Sequence, residues 1–275
     1  MNKNRKLSSI PSVLIGLTAI AFGLMGLVLF IAPDWSAANF PWKISPLVAR
    51  TMGGWYLGSA VMAGLVAYHR RWNLIYASAL YAGVFSVAEA LVLVIHRSKL
   101  QVEATLAWPY MGMLIIGILA SIFVLLDRAR RQPVSGGDGP IAPAWTHTVI
   151  VIFVLFVFFV AGFAFSGHWI GLNGVIFPEP LTLFTLYSFG AFYFSLAFSA
   201  LALLRERRSP AIIVHACGGL ALILLITLAG FIHIQSFNFG EHPFQSIYLG
   251  VYLAALIVVI YYLWGERSRS KNLIR

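Results

Sequence analysis

The chain has 275 residues, 60% of them hydrophobic and only 10% charged, with a formal net charge of +10. A soluble domain carries about 25% charged residues, so the composition excludes a water-soluble fold and points to an integral membrane protein. The basic residues lie in short groups between apolar runs, as membrane topology requires, and no nucleic-acid partner is expected. The single cysteine, Cys217, excludes an intramolecular disulfide and a cysteine-built metal site. Its apolar neighbours make it a small buried side chain.

The N-terminus carries Lys3, Arg5 and Lys6 ahead of an apolar run from about Ile10 to Ile31. A secretory signal has a core of roughly 7–15 residues, which this run exceeds, so it reads as a retained helix. Seven more apolar runs follow, each near the ~20 residues needed to cross a bilayer. The eight are placed at Pro11–Ala32, Pro46–Tyr68, Asn73–His96, Ala104–Leu126, Trp145–Phe165, Leu181–Leu204, Ala211–His233 and Pro243–Trp264. Hydrocarbon offers the backbone no hydrogen-bond partners, so all eight are expected to be helices.

Fifteen of the nineteen Lys and Arg fall on one set of connections, among them Arg70, Arg71, Arg128, Arg130, Arg131, Arg205, Arg207 and Arg208. Lys43, Arg50, Arg97 and Lys99 fall on the other set. Basic residues mark the cytoplasmic side, which places both termini there, in the cell membrane.

A repeat organises the chain. Residues 40–96 are written again at 177–233 with a constant offset of 137 and no gap: Phe40-Pro41 on Phe177-Pro178, Gly53 on Gly190, Tyr56 on Tyr193, Ile95-His96 on Ile232-His233. The last helices align at an offset of 138, with Tyr110 on Tyr248 and Gly112 on Gly250. Between the copies, Gln132 to Pro140 is rich in Gly, Pro and Ser, a flexible linker. The expected architecture is therefore all-α and polytopic. Residues 1–131 form a first four-helix membrane repeat, 132–144 a cytoplasmic linker and 145–275 a second repeat. Four spans per copy is an even number, so the copies run parallel, related by an axis along the membrane normal.

Three outer connections are aromatic: Pro33 to Trp42, Gly167 to Leu172, and Phe237 to Gly240. They are expected to lie at the headgroup level or to fold back over the bundle mouth.

The intramembrane polar inventory is small. Glu89 is the acid that falls within a span, two helical turns before His96 on the same helix face. Arg50 opens the second helix from the same outer side. An intramembrane ionisable pair marks a functional site by default, so Arg50 and Glu89 are expected to meet; the alternatives are a purely structural pair, or a neutral Glu89 on a small cavity. Arg50 aligns with Tyr187 and Glu89 with Ile226, which leaves one site per chain. That pocket is expected in the first half, lined by Arg50, Tyr56, Glu89 and His96 beneath the Trp35–Trp42 segment. His96 and His233 match across the repeat and are candidate haem or metal ligands; the plainer reading has each ring bonding the carbonyls at its helix end. His215 lies too far along its helix from His233 to share a ligand with it. No nucleophile elbow, phosphate loop or zinc-protease helix is present.

At Arg50-Thr51-Met52-Gly53-Gly54-Trp55-Tyr56-Leu57-Gly58 the chain resembles the small four-helix membrane proteins called DoxX-like, which also carry an Arg and a Gly-Gly pair opening the second helix. The resemblance covers residues 11–126 and implies a fold more than an activity. The second half keeps Gly190-Ala191-Phe192-Tyr193 without the arginine. The function expected is non-catalytic: binding of a lipid- or quinone-like molecule, or service as a subunit of a membrane complex or homo-oligomer among membrane lipids. The alternatives are a redox or lipid-modifying enzyme built on Arg50, Glu89 and His96, and a transporter of an apolar or weakly acidic solute.

Overall fold

A computed structural model describes residues 6–131, 139–167, 169 and 176–272. Most of the Gly-Pro linker, His168 and residues 170–172 of the third outer connection, and the basic residues Lys3, Arg5 and Arg275 lie outside the described residues. The described chain forms nine α-helices. They are α1 (Ser9–Ile31), α2 (Pro33–Asn39), α3 (Pro46–His69), α4 (Trp72–Ile95), α5 (Ala107–Arg131), α6 (Ala144–Ser166), α7 (Leu183–Leu203), α8 (Ser209–Ile232) and α9 (Gln245–Asn272). Seven of them are long and apolar enough to cross a membrane, which makes the chain a polytopic helical membrane protein. The remaining long helix, α3, is diluted by Arg50, Thr51, Gly53, Gly54, Gly58 and Ser59 and is wrapped by its neighbours, with fourteen of its residues buried.

Local sequence sets the helix ends. Ser45 caps α3, its Oγ accepting from Val48 N at 3.1 Å, and Pro46 takes the first turn, where a missing N–H costs nothing. Thr182 caps α7 in the same way through Thr185 N. Pro33 cannot continue α1 and starts α2 instead. The last turn of α5 carries Arg128, Arg130 and Arg131, favourably placed against the negative end of the helix dipole.

Consecutive long helices alternate in direction. At the basic end, Leu7 N donates to Arg70 O (2.6 Å) and Ala142 N to Arg207 O (3.0 Å). Ser8 N and the Arg131 guanidinium both donate to Asp127. At the opposite end, Gln101 N donates to Pro41 O and Leu106 N to Asn39 O. There Phe40 and Trp42 fold over the bundle: Trp42 is buried, stacks on Phe184 at 4.1 Å and donates from Nε1 to Thr185 Oγ1. Trp35, by contrast, stays exposed.

Small residues decide how closely the helices pack. A Cβ on Gly53 would lie 2.6 Å from Phe30 N and 3.0 Å from Gly26 O, and one on Gly58 would lie 2.5 Å from Leu222 Cα. Through these positions α3 presses against α1 on one side and α8 on the other. On α4 and α5, Gly83 faces Ser121 and Gly117 faces Ser86. The α3–α8 and α4–α7 contacts form the middle of the molecule. There, residues 137 apart in sequence touch one another: Trp55 stacks on Phe192 at 4.3 Å, and Ser78 hydrogen-bonds His215.

Gly58→Ala should therefore force α3 and α8 apart and cost about 1–3 kcal/mol, the usual range for overpacking. Gly64→Ala, where an added Cβ meets nothing within 4 Å, should leave stability unchanged or slightly higher. Thermal denaturation in detergent compares the two.

Candidate functional site

Arg50 sits in the second turn of α3, at the end opposite the basic one. Its Nε donates to Phe30 O at 3.0 Å, among the carbonyls that the end of α1 leaves short of donors. Its Nη1 lies 3.0 Å from His233 Nε2. A guanidinium has no acceptor, so His233 Nε2 is the acceptor and carries no proton. One side chain thus ties α1, α3 and the residue just beyond α8. Burial holds the His233 pKa below its ordinary value; the Arg50 charge pushes the same way, and Asp34 opposes it.

His96 ends α4 and is buried against the other half, 5.1 Å from the Phe184 ring and edge-on to Tyr187 at 4.9 Å. Burial, and then Lys99, lower its pKa. Tyr187 is the residue that aligns with Arg50, and His96 the one that aligns with His233. The two contacts are therefore the same cross-connection, made once with an arginine and once with a tyrosine. Each histidine engages the opposite half instead of the other imidazole. Among the described residues, no three His, Cys, Asp or Glu side chains come together as a metal would require.

The expected pair of Arg50 with Glu89 is not formed. Glu89 is fully buried, and its Oε2 accepts from Tyr110 Oη (3.0 Å) and Ser188 Oγ (3.1 Å). Tyr56 Oη donates to Tyr110 Oη at 2.7 Å, which makes a continuous chain from Tyr56 through Tyr110 to the carboxyl group. The ion pairs among the described residues are Asp127–Arg131 and Glu266–Arg269. Sequence spacing gives depth along a helix but not which neighbour a side chain meets. Arg50 turns toward α1 and α8, whereas Glu89 turns toward α5 and α7.

The aligned set of positions carries no acid. Ile226 stands where Glu89 would, Thr51 where Ser188 would and Tyr248 where Tyr110 would. The Thr51 and Tyr248 hydroxyls are buried with no hydrogen bond of ordinary geometry, and Tyr193 bonds Tyr252 instead (2.7 Å).

Phe40, Trp42, Tyr110 and Phe184 pack against one another beneath the Pro33–Trp42 segment, and none of Arg50, Tyr56, Glu89 and His96 lines the described cavity. That cavity lies in the other half, among α6, α7, α8 and α9, with a volume of about 680 Å³. Its walls are mostly apolar and aromatic, including Val157, Leu196 and Ile223, with polar side chains from Thr146, Tyr193, His215, Tyr248, Tyr252 and Tyr262. In the first half α1 packs along α5; the matching helices α6 and α9 share no such seam and meet at the basic end through Trp145 on Tyr261 and Tyr262. Neither the cavity nor the roles of Tyr110 and Ser188 emerged from the sequence. The offset of 137 would have pointed to Ser78 and His215, which align with one another in sequence and meet in the structure.

Comparison with family models, with curated proteins and with solved structures finds no match for this chain.

Glu89→Leu should strand two buried hydroxyls at about 1–3 kcal/mol each, whereas Glu89→Gln keeps an acceptor for Tyr110 and Ser188 and should cost clearly less. Melting temperatures in detergent rank the two variants.

The His233 contact also carries a pH dependence. Its folded pKa lies below the unfolded value of ~6.5, so the unfolded chain takes up the proton first. The stabilisation is complete above about pH 6.5 and is lost as the pH falls toward the folded pKa. His233→Gln retains an acceptor for Arg50 without titrating. The melting-temperature advantage of wild type over this variant should therefore shrink between pH 7.5 and pH 5.5.

Proposed function

We propose that the chain is an eight-span protein of the cell membrane with cytoplasmic termini, built as two parallel DoxX-like four-helix repeats. Its second half holds a lipid- or quinone-like molecule without transforming it. The cavity among α6 to α9 carries this reading: about 680 Å³ of space with apolar walls and few polar groups. Ligand sites usually occupy ~300–1,000 Å³ with that kind of lining. The missing seam between α6 and α9 gives a route from the surrounding lipid. Contacts such as Trp55 on Phe192 and the matched pairs Arg50–His233 and Tyr187–His96 support two parallel copies. The concentration of basic residues on one set of connections supports cytoplasmic termini. In this reading Arg50, Tyr56, Glu89 and His96 hold the frame together, and the second half does the binding.

Gly219 lines the cavity, and a Cβ there meets nothing within 4 Å, so the backbone admits a side chain at this wall and Gly219→Leu is the filling variant. Native mass spectrometry of the purified full chain should show a co-purifying apolar molecule in wild type. Occupancy should fall at least tenfold in Gly219→Leu at unchanged melting temperature. A wild-type chain with no bound molecule, or equal occupancy in both, overturns the proposal.

A further inference from the structure

His215 brings an imidazole to a wall that is otherwise mostly apolar. It lies six residues into α8, about 9 Å from the start of the helix, and is 8% exposed. Its Nδ1 is 3.1 Å from Ser78 Oγ, and Ser78 is 1% exposed. A buried hydroxyl proton requires an acceptor, and Nδ1 is the acceptor that Ser78 has among the described residues. In a neutral imidazole one nitrogen accepts and the other donates. With Nδ1 occupied as acceptor, Nε2 carries the hydrogen. That nitrogen makes no hydrogen bond among the described residues, and His215 is one of the residues that line the cavity.

We propose that His215 Nε2–H recognises a carbonyl oxygen on the molecule held in this cavity, with Ser78 fixing the tautomer that donates. The proposal rests on the cavity being a ligand site. A carbonyl fits the chemistry better than other polar heads. No Lys or Arg lines the cavity, so a carboxylate or phosphate would enter without a counter-charge, at high cost in hydrocarbon. An alcohol could also accept from Nε2–H, but its own proton would then have to compete for the remaining lone pairs of the mutually bonded Tyr193 and Tyr252 hydroxyls. A carbonyl only accepts. Two membrane molecules offer one beside a long apolar tail: a quinone through its keto oxygen, and a glycerolipid through its ester. The tail would run along Val157, Leu196 and Ile223. The aligned residue in the first half is Ser78 itself, so the donor belongs to the second half alone.

The probes are a decyl-tailed benzoquinone and decylbenzene, which has a similar tail and no carbonyl, titrated into the delipidated full chain in detergent. Wild type should bind the benzoquinone about five- to tenfold more tightly than His215→Leu does, the worth of one hydrogen bond. Decylbenzene should bind both alike, and His215→Gln, which restores an N–H donor, should recover part of the loss. Ser78→Ala should weaken benzoquinone binding less, and should shift the ¹⁵N signals of His215 toward a mixture of tautomers, a change that altered packing alone does not produce. Displacement of the benzoquinone by diacylglycerol but not by its dialkyl ether would support the ester as the natural partner; displacement by neither would support the quinone. Equal benzoquinone affinity in wild type and His215→Leu, with Gly219→Leu still blocking both probes, overturns the role of His215 and leaves the cavity reading standing. Failure of both probes to bind wild type overturns the two together.

Discussion

Everything in this molecule depends on how α3 is accommodated. Lipid offers no partner to a helix that carries an arginine, a threonine, a serine and three glycines within ten residues. Such a helix persists only where other helices cover it. The glycines solve the problem they create: without side chains at Gly53 and Gly58, α1 and α8 approach to backbone contact. Dispersion and close fit then supply what hydropathy does not. Arg50 completes the arrangement by placing its donors on a helix-end carbonyl and on an imidazole from the other half.

The two sets of four helices differ on either side of that seam. The first half is closed: α1 seats against α3 and α5, hydroxyls surround Glu89, and aromatic rings fill the end away from the basic connections. The second half keeps the same contacts to the centre but leaves α6 and α9 apart. The side chains differ accordingly. Where Glu89 has two donors, the aligned set is Ile226 with the Thr51 and Tyr248 hydroxyls, and it holds no acid. Where the closed half has Ser78, the open half has His215 on the cavity wall.

Much of the helical layout was legible in the sequence, because hydrophobic length and charge placement act locally. The helices lie close to the expected spans, with α9 running past Trp264 to Asn272 through its basic residues, which extend the helix beyond the apolar run. The partners of Arg50 and Glu89 were not legible, because azimuth around a helix depends on which neighbours surround it. An arginine near a glutamate in depth invites an ion pair. Here a carbonyl and an imidazole reach the arginine, while hydroxyls from α5 and α7 reach the acid. The cavity was equally hidden, since it reflects a helix contact not made, and no residue announces that by its type.

The bond from Arg50 to His233 spans 183 residues, and this bears on how the protein is made. During synthesis α3 leaves the ribosome long before α8 exists; at ~5–20 residues per second the interval is on the order of ten seconds. Throughout it, α3 has α1 on one side, Gly26 against Gly53, and bare lipid or the insertion machinery on the other. A nascent chain that stops in the linker would hold a guanidinium lacking one acceptor and a glycine face with nothing against it. The first half is a natural substrate for whatever retains incomplete membrane proteins, and its release waits on the arrival of the second.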